Sequence, residues 1–155
     1  MCHLKDIVVK SVETHAGAYT ALSDAIWDHP EVNFHEDYAA GALRETLVQS
    51  GFALEDTLVG MPNAFRASYG SGKPVIAFLG EFDALSAMSQ KAGCAVREAL
   101  NPGAPGHGCG HNLLGVGALG AAIVSPAPCC RTSSTPTANT TPCSTTRSRT
   151  PTKSR

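Results

Sequence analysis

Hydrophobic positions recur at helical spacing in three stretches of the chain, with polar residues between them. The first stretch predicts a helix that ends near Asp28, because Pro30 disfavours helical backbone in the residue before it. The second predicts a helix from about Glu36 to Ser50, with Gly51 placed as its C-terminal cap. The apolar positions of these two helices are Val12, Ala16, Tyr19, Leu22 and Ile26 in the first, and Ala39, Ala40, Leu43 and Leu47 in the second.

The third helical stretch runs from Leu113 to Val124. Its glycines at 115, 117 and 120 predict close packing of this helix against a sheet. Between the second and third helices, short strands are predicted at 53–59 and 64–69, followed by a turn cluster at 69–74. A short helix near 95–100 is also indicated.

A continuous apolar run, Val75-Ile76-Ala77-Phe78-Leu79, lies between Pro74 and Gly80. Apolar residues on both faces are typical of a central strand that helices cover on each side. The pattern of the chain therefore predicts an α/β fold. Glu81 and Asp83 follow this strand at the carboxyl end, which is where open α/β sheets place their ligands.

Candidate metal-binding side chains are concentrated in the segment from Gly106 to Asn112, which holds His107, Cys109 and His111 among three glycines. Residues two apart in an extended loop point the same way, so Cys109 and His111 are predicted to reach one cation. Thiolate sulfur and imidazole nitrogen are ligands that a zinc-like ion prefers. The alternative is that a glycine-rich loop holds these residues by chance. Glu81 and Asp83 favour the metal site, since carboxylates orient ligand imidazoles, although they also suit a solvated loop.

Composition divides the chain of 155 residues near position 124. The first part has the periodic apolar groups of a globular domain. Residues 125–155 contain nine Thr, six Ser, five Pro and three Cys, but no acidic or aromatic residue and no Leu, Ile, Val or Met. Such a segment buries too little apolar surface to offset its chain entropy, so we expect a disordered tail.

The distribution of charge indicates which partners the protein binds, and the placement of its cysteines indicates its cellular compartment. The first part carries a net charge of −6 and the tail +5. The sparse basic residues of the tail have no aromatic residues among them for base stacking, so a nucleic-acid partner is not expected. No apolar run approaches the length of a membrane span, and no signal peptide is recognisable. Of the six cysteines, three lie in the tail and one lies in the candidate metal loop. This placement is unlike a disulfide framework and predicts a reducing, cytoplasmic location.

Three motifs together resemble the metal-dependent amidohydrolases of the aminoacylase and carboxypeptidase G family. They are Ile26-Trp27-Asp28-His29-Pro30-Glu31, Phe78-Leu79-Gly80-Glu81-Phe82-Asp83-Ala84-Leu85 and Gly106-His107-Gly108-Cys109-Gly110-His111-Asn112-Leu113-Leu114-Gly115. They occur in the family's order and spacing over about residues 10–124. The second and third are most similar to the branch that hydrolyses p-aminobenzoyl-glutamate.

The resemblance implies that residues 1–124 are the N-terminal part of a mixed-sheet, zinc-peptidase-like catalytic domain. It implies a pair of divalent ions, zinc or manganese, and hydrolysis of a small substrate such as an N-acyl amino acid or p-aminobenzoyl-glutamate. Carried over by position, Cys109 and His111 are metal ligands and Asp83 is the catalytic acid that orients a ligand. Glu81 stands where other branches place a metal-binding histidine. Glu81 and His107 are candidates for residues that contact the metal ligands without binding the ion themselves.

The resemblance ends at about Val124. The family's glutamate base and its remaining ligands come further along the chain, and its dimerisation domain is expected to be absent here. A truncated chain with a tail from a shifted reading frame or a retained intron is our hypothesis for this break. An inactive fragment that binds at most one divalent metal is therefore the alternative to an active hydrolase.

Overall fold

The computed structural model describes residues 4–125, and the predicted tail lies almost entirely outside them. Three helices dominate: α1 (Leu4–Asp28), α2 (Asp37–Gln49) and α3 (His111–Val124). Two short antiparallel strands, β1 (Ala53–Glu55) and β2 (Arg66–Ser68), pair with Ala53 opposite Ser68. A 3₁₀ turn, Leu58–Gly60, lies between them.

The core lies where α1 and α2 pack on α3. Its buried side chains come from one face of each helix and exclude water from the contact between them. They are Ile26 from α1, Ala39, Leu43 and Leu47 from α2, and Val116, Leu119 and Ile123 from α3. The face predicted for α2 is confirmed, since all four of its apolar positions are buried.

Helix α2 ends as its sequence predicts. Gly51 adopts a left-handed conformation with φ of +87°, and the amide of Phe52 donates to the carbonyl of Leu47 over 3.0 Å. Glycine accepts this φ without the steric cost that a Cβ would bring.

Helix α1 begins at Leu4, well before Val12, the first apolar position of the predicted helix, and it ends at Asp28 as predicted. Only its C-terminal half contributes to the core: Ile26 is fully buried, whereas Val12 is 45% exposed. Within residues 4–125 there is no helix that is both long enough and apolar enough to cross a bilayer.

The expected central strand at 75–79 is not formed. Among the described residues these positions have no strand neighbour, and Val75 and Leu79 are 82% and 88% exposed. A β-strand needs a partner for its backbone N–H and C=O groups, and residues 4–125 supply none beside this run. The short helix expected near 95–100 is also absent from the described residues, and that region lies in turns and bends.

Candidate functional site

The acidic segment after position 80 is held between two other loops. The amide of Ala84 donates to the carbonyl of Glu31 over 2.6 Å, and Val32 and Ala84 form a parallel bridge. On the other side, Leu85 and Gly106 exchange two backbone hydrogen bonds of 3.0 Å each. These contacts bring the two carboxylates of the segment against the loop that precedes α3.

Glycines allow these backbones to approach so closely. A Cβ on Gly115 would lie 3.1 Å from the carbonyl oxygen of Glu81 and 3.2 Å from the Cβ of Phe82. A Cβ on Gly106 would lie 2.2 Å from the carbonyl oxygen of Met88, so this position admits glycine alone. Close packing of α3 was predicted against a sheet. Gly115 instead packs on the acidic segment, which is not a strand, a Cβ on Gly120 would lie 3.3 Å from the ring of Tyr19 on α1, and Gly117 faces open space.

His111, the first residue of α3, lies between two carboxylates. Its Nδ1 lies 2.7 Å from Oδ1 of Asp83, and its Nε2 lies 3.3 Å from Oε2 of Glu81. The side chain of His111 is 17% exposed, that of Asp83 27% and that of Glu81 68%. The shorter contact fixes the ring orientation and leaves Nε2 directed toward the more open side of the site.

His107 lies apart from this group. Its side chain is buried, its Nε2–H donates to the carbonyl of Ile26 over 3.2 Å, and its ring stacks on Trp27. Burial lowers the pKa of His107, and the nearby imidazole of His111 acts in the same direction, while the Ile26 carbonyl and Asp83 oppose it. Nδ1 of His107 is buried without a hydrogen-bond partner among the described residues. This histidine therefore ties the loop to the end of α1.

The thiol of Cys109 is exposed and free. Within residues 4–125, no three side chains of His, Cys, Asp or Glu converge closely enough to hold one metal ion. Around His111 the described residues supply an imidazole held by the carboxylate of Asp83, which is one part of the donor set that a divalent cation needs.

Two polar side chains that support the site were not assigned a role from the sequence. Asn112 is buried and its Nδ2 donates to Oγ of Ser23 on α1 over 3.0 Å. Glu31 accepts from the amides of Tyr38 and Ala39 at the start of α2, over 3.0 and 3.1 Å. The sequence contained one indication of the role of Asn112: its partner Ser23 is a polar residue on the apolar face of α1. The stretch that ends in Glu31 therefore has a structural role, since its last residue holds the start of α2.

A solved structure shares this architecture. A crystal structure of a protein described as an aminohydrolase, from methicillin-resistant Staphylococcus aureus, matches with a TM-score of 0.61 and 27% identity, over 77% of this chain and 30% of that one. The likeness defines the class of protein as an aminohydrolase-like α/β fold, as the sequence pattern predicted.

Sequence comparison gives the family. The chain is 51% identical over 113 residues to a subunit of the p-aminobenzoyl-glutamate hydrolase of Escherichia coli (strain K12), covering 73% of this chain and 24% of that protein. It is 30% identical over 131 residues to Xaa-Arg dipeptidase of Mus musculus, covering 77% and 26%. No protein-family model matches. Over the matched region the chain belongs to the amidohydrolase family of these proteins, and it spans about a quarter of their length.

Proposed function

We propose that this chain carries part of the metal-dependent catalytic domain of an amidohydrolase. Its substrate would be a small amide in which an acyl or p-aminobenzoyl group is joined to an amino acid. The observation that carries the proposal is the contact of 2.7 Å between Asp83 and His111. The two residues belong to different motifs and lie 28 positions apart in the sequence. The identity of 51% to part of a p-aminobenzoyl-glutamate hydrolase supports the choice of substrate.

The residues present would serve the ion in different ways. Asp83 accepts the Nδ1 proton of His111, which fixes the tautomer and raises the basicity of Nε2 as a ligand. Cys109 would be a second ligand, as a thiolate. A divalent ion held there would lower the pKa of a bound water and polarise the carbonyl of the substrate. Among residues 4–125, Glu81 is the glutamate whose carboxylate faces His111.

The test is release of p-aminobenzoate from p-aminobenzoyl-glutamate by the full chain, with zinc or manganese added. Cys109→Ala and His111→Ala are the matched negative controls. Turnover that both substitutions abolish would support the proposal. Metal binding without turnover above these controls would contradict an active hydrolase.

The second candidate is a fragment that binds one divalent ion without turnover. One observation favours it: within residues 4–125 no three side chains of His, Cys, Asp or Glu converge closely enough to hold one metal ion. The same assay separates the two, because this candidate predicts metal binding that depends on His111 and no release of p-aminobenzoate. A reducing, cytoplasmic location is part of both proposals and agrees with the free thiols of Cys94 and Cys109.

A further inference from the structure

The apolar run at 75–79 lies open to solvent, with a charged residue of opposite sign beyond each end. Lys73 stands four positions before Ala77, the central residue of the run, and Glu81 stands four positions after it. Every residue from 73 to 81 is exposed, and no described backbone group pairs with the run. The large apolar side chains of the run, with their exposed fractions, are Val75 82%, Ile76 68%, Phe78 43% and Leu79 88%.

The rest of the described chain leaves this run uncovered. A groove of about 790 Å³ lies beside it, and β2 and α3 form other walls of that groove. An open strand edge with apolar side chains is a template for pairing with another strand. The order of residues in the run makes it complementary to a second copy of itself.

We propose that two copies of this chain associate by pairing their runs as antiparallel strands, related by a two-fold axis that passes beside Ala77. In this register Lys73 of each copy lies opposite Glu81 of the other copy. The dimer therefore has one ion pair at each end of the paired strands, and opposite charges placed across two strands attract each other.

The apolar side chains between the two ends are matched in the same register. Val75 of one copy lies opposite Leu79 of the other, and Ile76 lies opposite Phe78. Ala77 meets its own copy on the axis, where its small side chain lets the two backbones approach. Each large apolar side chain of one run thus faces a large apolar side chain of the other run, which removes both from water.

Other pairings of the same two runs fit less well. Parallel strands in register would place Lys73 opposite Lys73 and Glu81 opposite Glu81, and like charges in this position repel. An antiparallel register with its axis at Phe78 places Glu81 opposite Val75, which sets a carboxylate against an apolar side chain. An axis at Ala77 satisfies the charged and the apolar positions together. A two-fold pair of this kind is closed, so it predicts a dimer and not an open fibre.

Both charged side chains can be reached by a second copy. Lys73 makes no ion pair among the described residues. Glu81 has one oxygen 3.3 Å from Nε2 of His111, but its side chain is 68% exposed, so the carboxylate remains open to a lysine that approaches from solvent.

The experiment is sedimentation equilibrium of the full chain over a range of concentrations. A reducing agent prevents disulfide formation, a chelator makes the result independent of the metal-dependent function, and low ionic strength leaves exposed charges least screened. The variants are Lys73→Glu and Glu81→Lys, each alone, mixed in equal amounts, and combined in one chain. Lys10→Glu and Glu45→Lys are the matched control pair, because they make the same charge changes at exposed positions of α1 and α2.

We expect each single variant to raise the dissociation constant of the dimer by about 5- to 50-fold, because both ion pairs become pairs of like charge. The equal mixture should associate as the unaltered chain does, since each variant then meets the opposite charge at both ends. The double variant Lys73→Glu/Glu81→Lys should also regain association, because it exchanges the two charges. The control variants, alone or mixed, should leave the dissociation constant unchanged.

A monomer at every concentration, or association that neither single variant weakens, would overturn the proposal. Weakening in both single variants without recovery in the mixture and in the double variant would overturn this register. The same pattern in the control pair would mean that overall charge, and not the run, governs association. Circular dichroism of each variant checks that the helices are retained, and the double variant carries both substitutions, so its recovery shows that neither one prevents folding.

Discussion

At the scale of single residues, the two histidines of the motif have opposite surroundings although they lie four positions apart. His111 has a carboxylate on each ring nitrogen, and its side chain is partly open to solvent. His107 is 5% exposed and bonds to a helix carbonyl. The sequence showed two imidazoles in a glycine-rich loop. Which of them faces the acids depends on the position of Asp83, which is distant in sequence.

Asp83→Asn tests whether the carboxylate of Asp83 strengthens metal binding by His111. The amide oxygen of Asn can still accept the Nδ1 proton, but it lacks the negative charge that makes Nε2 a stronger ligand. We expect Mn²⁺ binding to weaken by about 10- to 100-fold, with the helices intact. The measurement is a calorimetric titration of the full chain with Mn²⁺. Unchanged affinity would mean that Asp83 does not support a ligand.

His107 predicts a pH dependence of folding. Burial holds its pKa below the ordinary value, so the unfolded chain binds a proton more readily than the native chain. The free energy of unfolding should therefore fall as the pH is lowered through about 6.5, the unfolded value, and be insensitive to this group well above it. Urea denaturation across pH 5 to 8 with a chelator present measures this. The difference between the chain and His107→Asn isolates the contribution, and parallel curves for the two would contradict it.

At the scale of elements, the ends of a helix could be predicted where residues close in the sequence determine them. Helix α2 matched within one or two residues, because Gly51 ends it and its amphipathic face is unambiguous. Strands β1 and β2 are shorter than predicted, since the length of a strand is decided by its partner. The run at 75–79 shows this most clearly: its composition is that of a buried strand, but burial requires neighbours that residues 4–125 do not provide.

The N-terminus of α2 depends on a side chain from outside the helix. Glu31 accepts from two amides that no helical carbonyl reaches, and its negative charge lies at the positive end of the helix dipole. We expect Glu31→Ala to lower the free energy of unfolding by about 1 kcal/mol, and at most about 2. Glu45→Ala, in the middle of the same helix, is the control. A loss no larger than that of the control would show that Glu31 is not a cap.

Two glycines of α3 should respond in opposite ways to the same substitution. In Gly115→Ala the new methyl meets the backbone of Glu81 and the Cβ of Phe82, so the acidic segment must move away from the helix. We expect a loss of about 1–3 kcal/mol of stability, together with weaker metal binding. In Gly117→Ala the methyl meets open space, and higher helix propensity should add about 0.5–1 kcal/mol. Thermal or urea unfolding measures both, and the same sign for the two would refute the packing argument.

At the scale of the whole molecule, the site is built from parts that lie far apart in the sequence. Glu31, Ala84 and Gly106 align three loops side by side, and α3 supplies His111 at the place where they meet. Sequence reasoning could name Asp83, Glu81 and His111 as candidates. The distances among them depend on the packing of α1, α2 and α3, and that packing also left Cys109 exposed and His107 buried.

The run at 75–79 is an exposed apolar surface that lies outside the core of the molecule. Ile76 and Leu79 are 68% and 88% exposed, and no described residue pairs with the backbone around them. Unpaired apolar edges favour pairing with another chain, so we expect self-association that increases with protein concentration.

Ile76→Lys tests this expectation, because a charge on an apolar edge opposes association between chains. Sedimentation velocity over a range of concentrations should show less association in the variant. Since the side chain makes little contact with the core, the free energy of unfolding should change by no more than about 0.5 kcal/mol. Val48→Lys is the matched control, because Val48 is 53% exposed on α2 and lies outside the run. Equal association of the chain and both variants would show that this segment is not the surface through which copies meet.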